Sequence, residues 1–348
     1  MSYLDLMKYQ PLSRVLLILI LLTSCKYTRE APQETTRFTH ELTGEVLPWT
    51  HDHFEETETD FTFAIISDLN GGERPHIFSK AVAQLNHLDP TFVLSVGDLI
   101  DGGTTDTDQL KREWDFFDQR ARALHMPFFY VGGNHDLTNK TMREFWEGRF
   151  GPRFYHFRYD DVLFLMLDSE DYTEKRMEEI YQARDTAIRI LDGLMEGDYA
   201  TSTYRFMPER NLGGMSEEQI AYFKEVLTQN QDVRWTFLLM HKPLWLNDDG
   251  DILQREDIPL EPLETALAGR NYTVFNGHFH RLSHRERHGM EYMILGTTGG
   301  SQRPNDSTAI DHITLVRMAE KPEILHIKMD GILESDGRIN PAIDPKME

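Results

Sequence analysis

The chain has 348 residues, enough for one large domain or two modest ones. Its 40% hydrophobic and 27% charged residues are ordinary for a folded protein and exclude wholesale disorder. A net charge of −22, without any basic run, argues against a nucleic-acid partner, because such binding depends on Lys and Arg neutralising backbone phosphates.

At the N-terminus, Lys8 and Arg14 flank an apolar run from Val15 to Leu22. The run falls short of the roughly 20 apolar residues of a membrane span and fits the apolar region of a secretory signal. Leu22-Thr23-Ser24-Cys25 resembles the signal of bacterial lipoproteins, in which the cysteine is lipidated and becomes the new N-terminus. Cys25 is the single cysteine of the chain, so no internal disulfide is available. Residues 1–24 are expected to be a signal peptide. Membrane attachment is expected through the lipid on Cys25 alone, on the periplasmic or outer-surface side of the cell envelope. Residues 25–60 are polar, are broken by Pro32 and Pro48, and lack any sustained period. They read as a tether, with local packing around Val46 to Trp49. The main domain is expected over 61–335 and a tail over 336–348.

Five short apolar runs follow, each ending at a residue able to bind a metal: Phe61 to Ser67 before Asp68, Phe92 to Gly97 before Asp98, Phe128 to Gly133 before Asn134, Trp235 to Met240 before His241, and Tyr272 to Gly277 before His278. Their length and their β-branched and aromatic content predict strands. Continuous apolarity suits strands covered on both faces. Helical patterns cover about 76–88, 107–124 and 216–227, the last opening with a Ser216/Gln219 capping pattern. Strand and helix alternation predicts an α/β fold with largely parallel central strands, and such folds bind ligands at the carboxyl ends of the strands. A helical insert is expected at about 170–213, with an apolar stripe through Met177, Ile180, Ala187, Ile188, Leu191 and Leu194, placed to act as a lid. Strand patterns at 292–295, 313–318 and 324–329 are expected to complete a second sheet.

A lone Asp after a strand is ordinarily a turn residue. Here Asp68, Asn70, Asp98, Asn134, His241, His278 and His280 form an ordered set. Carboxylates, imidazoles and amides without thiolates suit first-row ions such as Mn, Fe, Zn or Co. The set is too large for one tetrahedral ion. Two ions sharing a carboxylate would use it, and a close metal pair clamps the attacking and leaving oxygens of a displacement at phosphorus.

Asp68-Leu69-Asn70, Gly97-Asp98-Leu99-Ile100-Asp101, Gly133-Asn134-His135-Asp136, His241 and Gly277-His278-Phe279-His280 resemble, in order, the five blocks of the calcineurin-like metallophosphoesterases. The resemblance spans about 61–300 and implies an α/β/β/α sandwich of two mixed sheets flanked by helices. It implies two divalent ions, Mn, Fe or Zn, bridged by Asp98. Asp68 and His280 would hold the first ion, and Asn134, His241 and His278 the second. A hydroxide between the ions is the family's nucleophile, with His135 serving the departing oxygen and Asp101 orienting His135 and keeping it protonated. The family usually carries His where this chain has Asn70. An amide oxygen is a weaker donor than imidazole, so the first site is expected to be looser or to accept Mg or Ca, or Asn70 to face water or substrate. The implied function is metal-dependent hydrolysis of a phosphate ester, with a phosphorylated small molecule or envelope component as substrate. A degenerate, ligand-binding family member is the alternative.

Overall fold

The computed structural model describes residues 37–54, 60–246 and 258–329. The expected signal peptide, Cys25 and the 336–348 tail lie outside them. In chain order the elements are β1 (Phe38–Thr39), β2 (Phe61–Ile66), α1 (Ile77–Leu88), β3 (Phe92–Ser95), α2 (Thr107–Ala121), β4 (Phe128–Phe129), α3 (Asn134–Leu137), α4 (Lys140–Phe150), β5 (Tyr155–Tyr159) and β6 (Val162–Met166). Then come α5 (Glu174–Leu191), three single turns of 3-10 helix, α6 (Glu217–Gln229), β7 (Trp235–Leu239), α7 (Glu261–Ala266), β8 (Tyr272–Asn276), β9 (Ser283–Arg287), β10 (Met290–Ile294), β11 (His312–Met318) and β12 (Pro322–Lys328).

The strands form a seven-stranded sheet, ordered β1-β5-β6-β7-β8-β10-β9, and a five-stranded sheet, ordered β12-β11-β2-β3-β4. Both are mixed: β2, β3 and β4 run parallel, as do β6, β7, β8 and β10, while β11 and β5 pair antiparallel to their neighbours. Side-chain alternation explains the layering. On β2, Phe63 and Ile65 meet Phe164 and Phe237 of the other sheet in a central aromatic core, while Ala64 and Ile66 face Phe78, Leu110 and Trp114 of α1 and α2. On the far side, Leu163, Leu165 and Leu238 pack under Phe223 and Val226 of α6 and Leu263 of α7. Helix, sheet, sheet and helix thus form four layers, the expected sandwich. Each fully buried large apolar side chain contributes about 1.5–3 kcal/mol relative to exposure.

Two expectations need correction. The late strands do not complete one sheet: β10 joins β8 in the seven-stranded sheet, and β11 and β12 join β2 in the other. The tether is not free over 37–54. Phe38 pairs with Tyr159 of β5, Trp49 is buried, and Phe38, Trp49 and Phe54 pack in tilted and edge-to-face contacts among Phe129, Phe157 and Tyr159. These contacts come from isolated aromatic residues, which leave no periodic signal.

Candidate metal centre

The ends of β2, β3, β4, β7 and β8 converge where the two sheets meet, and the loops that follow carry the predicted ligands. Two groups of ligand atoms form there, Asp98/His241/His278 and Asp68/Asp98/His280, each with its atoms within 4.8 Å of one another and Asp98 common to both. Asp68, Asp98 and His241 are at most 1% exposed.

The backbone is bent to make this cluster. Asp68 (φ 39°), Asp98 (φ 58°), His278 (φ 74°) and His280 (φ 54°) all lie in the left-handed region, which costs a non-glycine residue of order 1–3 kcal/mol and concentrates at functional sites. The bend is held by hydrogen bonds. Leu69 N–H donates to the Asp98 carbonyl at 2.8 Å, His278 N–H to the Asp68 carboxylate at 3.0 Å, and His135 N–H to Asp98 Oδ1 at 2.8 Å. At Gly133 any Cβ would run into the Asp98 carboxylate and the His241 ring, so only glycine allows this approach.

Backbone carbonyls set the tautomer of each imidazole, which fixes the nitrogen left to bind an ion. His241 Nδ1 donates to the Val96 carbonyl at 2.9 Å, leaving Nε2. His278 Nε2 donates to the Arg210 carbonyl at 2.9 Å, leaving Nδ1. His280 Nδ1 donates to the Ser301 carbonyl, leaving Nε2 3.2 Å from Asp68 Oδ1. His241 Nε2 sits 3.0 Å from Asp98 Oδ2 but outside hydrogen-bond geometry, as two donors aimed at one point would. Asn134 Oδ1 and Asn70 Oδ1 are likewise buried and without a hydrogen-bond partner among the described residues. Buried polar atoms are ordinarily satisfied; these orphaned lone pairs fit divalent cations.

The protein's own charges already oppose one another here. Burial would raise the Asp98 pKa, but the field of His241 and the hydrogen bond from the His135 N–H override it and hold the carboxylate well down. Burial would lower His241, yet Asp98 and then Asp68 push it up to about 9. An ion entering must displace that proton, so binding releases protons. Burial, His241 and Lys242 push His278 far down, which keeps it neutral and ready to ligate.

Five of the seven expected ligands, Asp68, Asp98, His241, His278 and His280, therefore lie together, Asn134 is buried with its Oδ1 unpartnered, and Asn70 joins them through Asp98. Asn70 Nδ2 donates to Asp98 Oδ2 at 2.7 Å, so the amide also braces the shared carboxylate. The expectation for Asp101 is corrected. Its carbonyl, not its carboxylate, accepts from His135 Nδ1 at 2.6 Å, and the carboxylate accepts the Gly72 N–H instead. Nor is His135 kept protonated: burial lowers its pKa to about 4, and Arg184 adds to the effect.

Three contributors escaped the sequence reading. Asp136 is buried and accepts the N–H groups of Asp98, Leu99, Ile100 and Gly133, tying the two ligand loops together. Burial and the adjacent Asp98 push its pKa up. The insert supplies the Arg210 carbonyl to His278 and the Arg184 guanidinium to His135, whose Nε2 lies 3.3 Å from Nη2. An arginine in register with Met177, Ile180 and Ala187 on the buried stripe of α5 was the available signal.

The calcineurin-like phosphoesterase family profile matches residues 61–282. A probable glycerophosphodiester phosphodiesterase from Arcobacter nitrofigilis is 25% identical over 211 residues, 59% of this chain. The match spans 62% of that relative's length. Among solved structures, a dimetal phosphatase from Danio rerio superposes with a TM-score of 0.53 at 17% identity, covering 77% of this chain and 98% of that one. The anchor of the inner membrane complex of Plasmodium superposes with a TM-score of 0.50 at 14% identity, covering 80% and 86%. At such identities the likeness speaks to the fold alone.

Proposed function

This chain belongs to the calcineurin-like phosphoesterase family, and on that premise we propose that it is a metal-dependent hydrolase of phosphoric esters. The observation that carries the reading is the pair of ligand groups sharing Asp98. Asp68 and His280 with Asp98 would hold one divalent ion, and Asn134, His241 and His278 with Asp98 the other. Two such ions, when bound, supply the charge that activates water and polarises the phosphoryl group. The chain's own groups bind, orient and exchange protons. Asp136 and the carbonyls of Val96, Arg210 and Ser301 hold the ligands in register. His135, tethered through Nδ1, presents Nε2 toward the insert and away from its backbone anchor.

The name of the Arcobacter relative supports a small phosphorylated substrate, and the charge of −22 weighs against nucleic acid. The Leu22-Thr23-Ser24-Cys25 segment supports lipid attachment at Cys25 in the cell envelope, with residues 1–24 removed. None of the helices in the described residues is long and apolar enough to cross a membrane. A second reading, a family member that binds a ligand without turnover, draws on Asn70, whose amide braces Asp98 where the family's imidazole would ligate.

The test is hydrolysis of a chromogenic phosphomonoester and the matching diester by the metal-stripped chain refilled with Mn, Zn, Mg or Ca. Activity restored by metal is the expected result. Two tightly held ions with no hydrolysis of either ester would favour the second reading.

A further inference from the structure

We infer that Arg184, on the insert helix α5, is a phosphate-binding residue of this site, gripping the phosphoryl oxygens of the substrate; the inference rests on the phosphoesterase reading above. Arg184 lies outside all five ligand blocks. It occupies the buried stripe of α5 with Met177, Ile180 and Ala187 and is only 9% exposed. An arginine buried to this extent usually has a charged partner. No carboxylate among the described residues pairs with Arg184, and its one hydrogen-bond contact among them is to the His135 ring, Nη2 to Nε2 at 3.3 Å.

The pocket around it is shaped for a guanidinium. At Gly103, with φ +66°, an added Cβ would stand 2.5 Å from Nη1 and 3.4 Å from Cζ. The Asp101–Gly103 turn therefore does two things. Its Asp101 carbonyl anchors one face of His135, and its bare Gly103 backbone admits the cation that meets the other face. His135 in turn follows the ligand Asn134, and its N–H is bonded to Asp98. The guanidinium, without a carboxylate partner among the described residues, thus meets the side chain of a residue whose own N–H reaches Asp98.

Arginine cannot shed its proton, and its planar fork matches two phosphate oxygens. Its single long contact, 3.3 Å to a ring nitrogen, is readily exchanged for a charged acceptor. A phosphoryl group brought to the ligand cluster supplies the counter-charge that the described residues leave out. Because the contact is to the phosphoryl group and not to the alcohol, inorganic phosphate is a sufficient probe.

The experiment is calorimetric titration of inorganic phosphate into the metal-loaded full chain, for wild type, Arg184→Gln and Arg184→Lys, with metal content and circular dichroism measured on each. Phosphate affinity in Arg184→Gln is expected to fall roughly ten- to hundredfold, the worth of a hydrogen bond to a charged group. Arg184→Lys keeps the charge without the fork and is expected to fall in between, with metal content unchanged in both. A merely structural contact between α5 and His135 would leave phosphate affinity alone. Affinity within twofold of wild type, in Arg184→Gln or in Arg184→Lys should the first variant not fold, overturns the inference while leaving the metal-dependent hydrolase standing. A wild-type chain that holds its ions and binds no phosphate overturns the inference alone, and one that holds no ions overturns both.

Discussion

Replacing Asp136 by Asn tests whether one buried carboxylate positions the ligand loops. Its Oδ2 accepts the N–H groups of Asp98 at 2.7 Å and Gly133 at 2.8 Å, and its Oδ1 those of Leu99 at 3.0 Å and Ile100 at 3.3 Å. Whichever way the amide turns, its NH2 must face two backbone donors, and two buried N–H groups lose their acceptor. Each such loss costs about 1–3 kcal/mol, and neighbouring losses are not fully additive. A total of about 2–4 kcal/mol lowers the melting temperature of a domain this size by roughly 4–16 °C. The assay is thermal unfolding of chelator-treated protein, followed by competition for metal with a fluorescent chelator. Metal affinity is expected to fall roughly ten- to a hundredfold, as for other groups that orient ligands. An Asp136→Asn protein that melts within about 2 °C of wild type and holds metal as tightly would refute the role assigned to Asp136.

Asp98 is common to both ligand groups, so Asp98→Ala is expected to lose both ions; metal analysis showing one ion fully retained would remove it as the bridge. His135→Ala is expected to keep its metal and lose roughly 10²–10⁴ in turnover, and full activity would take His135 out of the chemistry. Asn70→His supplies an imidazole where Asn70 Oδ1 is unpartnered, so the first site should bind Zn more tightly by competitive titration; equal or weaker binding would mean that the amide's bond to Asp98 matters more. His312 is buried, its Nε2 accepts the Gly296 N–H at 2.8 Å, and burial followed by His326 pushes its pKa down to about 3. A histidine the fold keeps neutral contributes stability that is present above the unfolded pKa near ~6.5 and lost as pH falls toward 3, roughly 2 kcal/mol by pH 5. His312→Gln should flatten that acid limb of the melting curve, leaving the slope of His326 and the other buried histidines; an unchanged limb would exclude His312 as a source.

The candidate ligand positions are legible because strands covered on both faces read as uninterrupted apolar runs, and each run ends at a residue of metal-binding type. The same covering explains why the four layers could be anticipated from the resemblance. The hairpin of β5 and β6 was missed although Val162 to Met166 is as apolar as the recognised strands, because Leu167 and Asp168 close it with no block-like pattern. Strand β9, Ser-His-Arg-Glu-Arg, is an edge strand with His284 and Glu286 exposed and Arg285 and Arg287 half-buried, and it carries no apolar signal. Asp101 shows a different limit. A residue pattern names the position, not the atom, and the bond to His135 comes from a carbonyl that every residue possesses. Arg184 was hidden by its type: a cation on the core-facing stripe reads as an interruption of the helix pattern until the fold brings it against His135.

Hydrolysis by this chain is expected to require two ions gathered around Asp98. The most direct test is titration of the metal-stripped chain with Mn while following both bound metal and phosphoester hydrolysis. Activity that rises with occupancy and levels off at two ions per chain is the predicted result. Hydrolysis that persists in the stripped chain, or two bound ions with no hydrolysis, would contradict it.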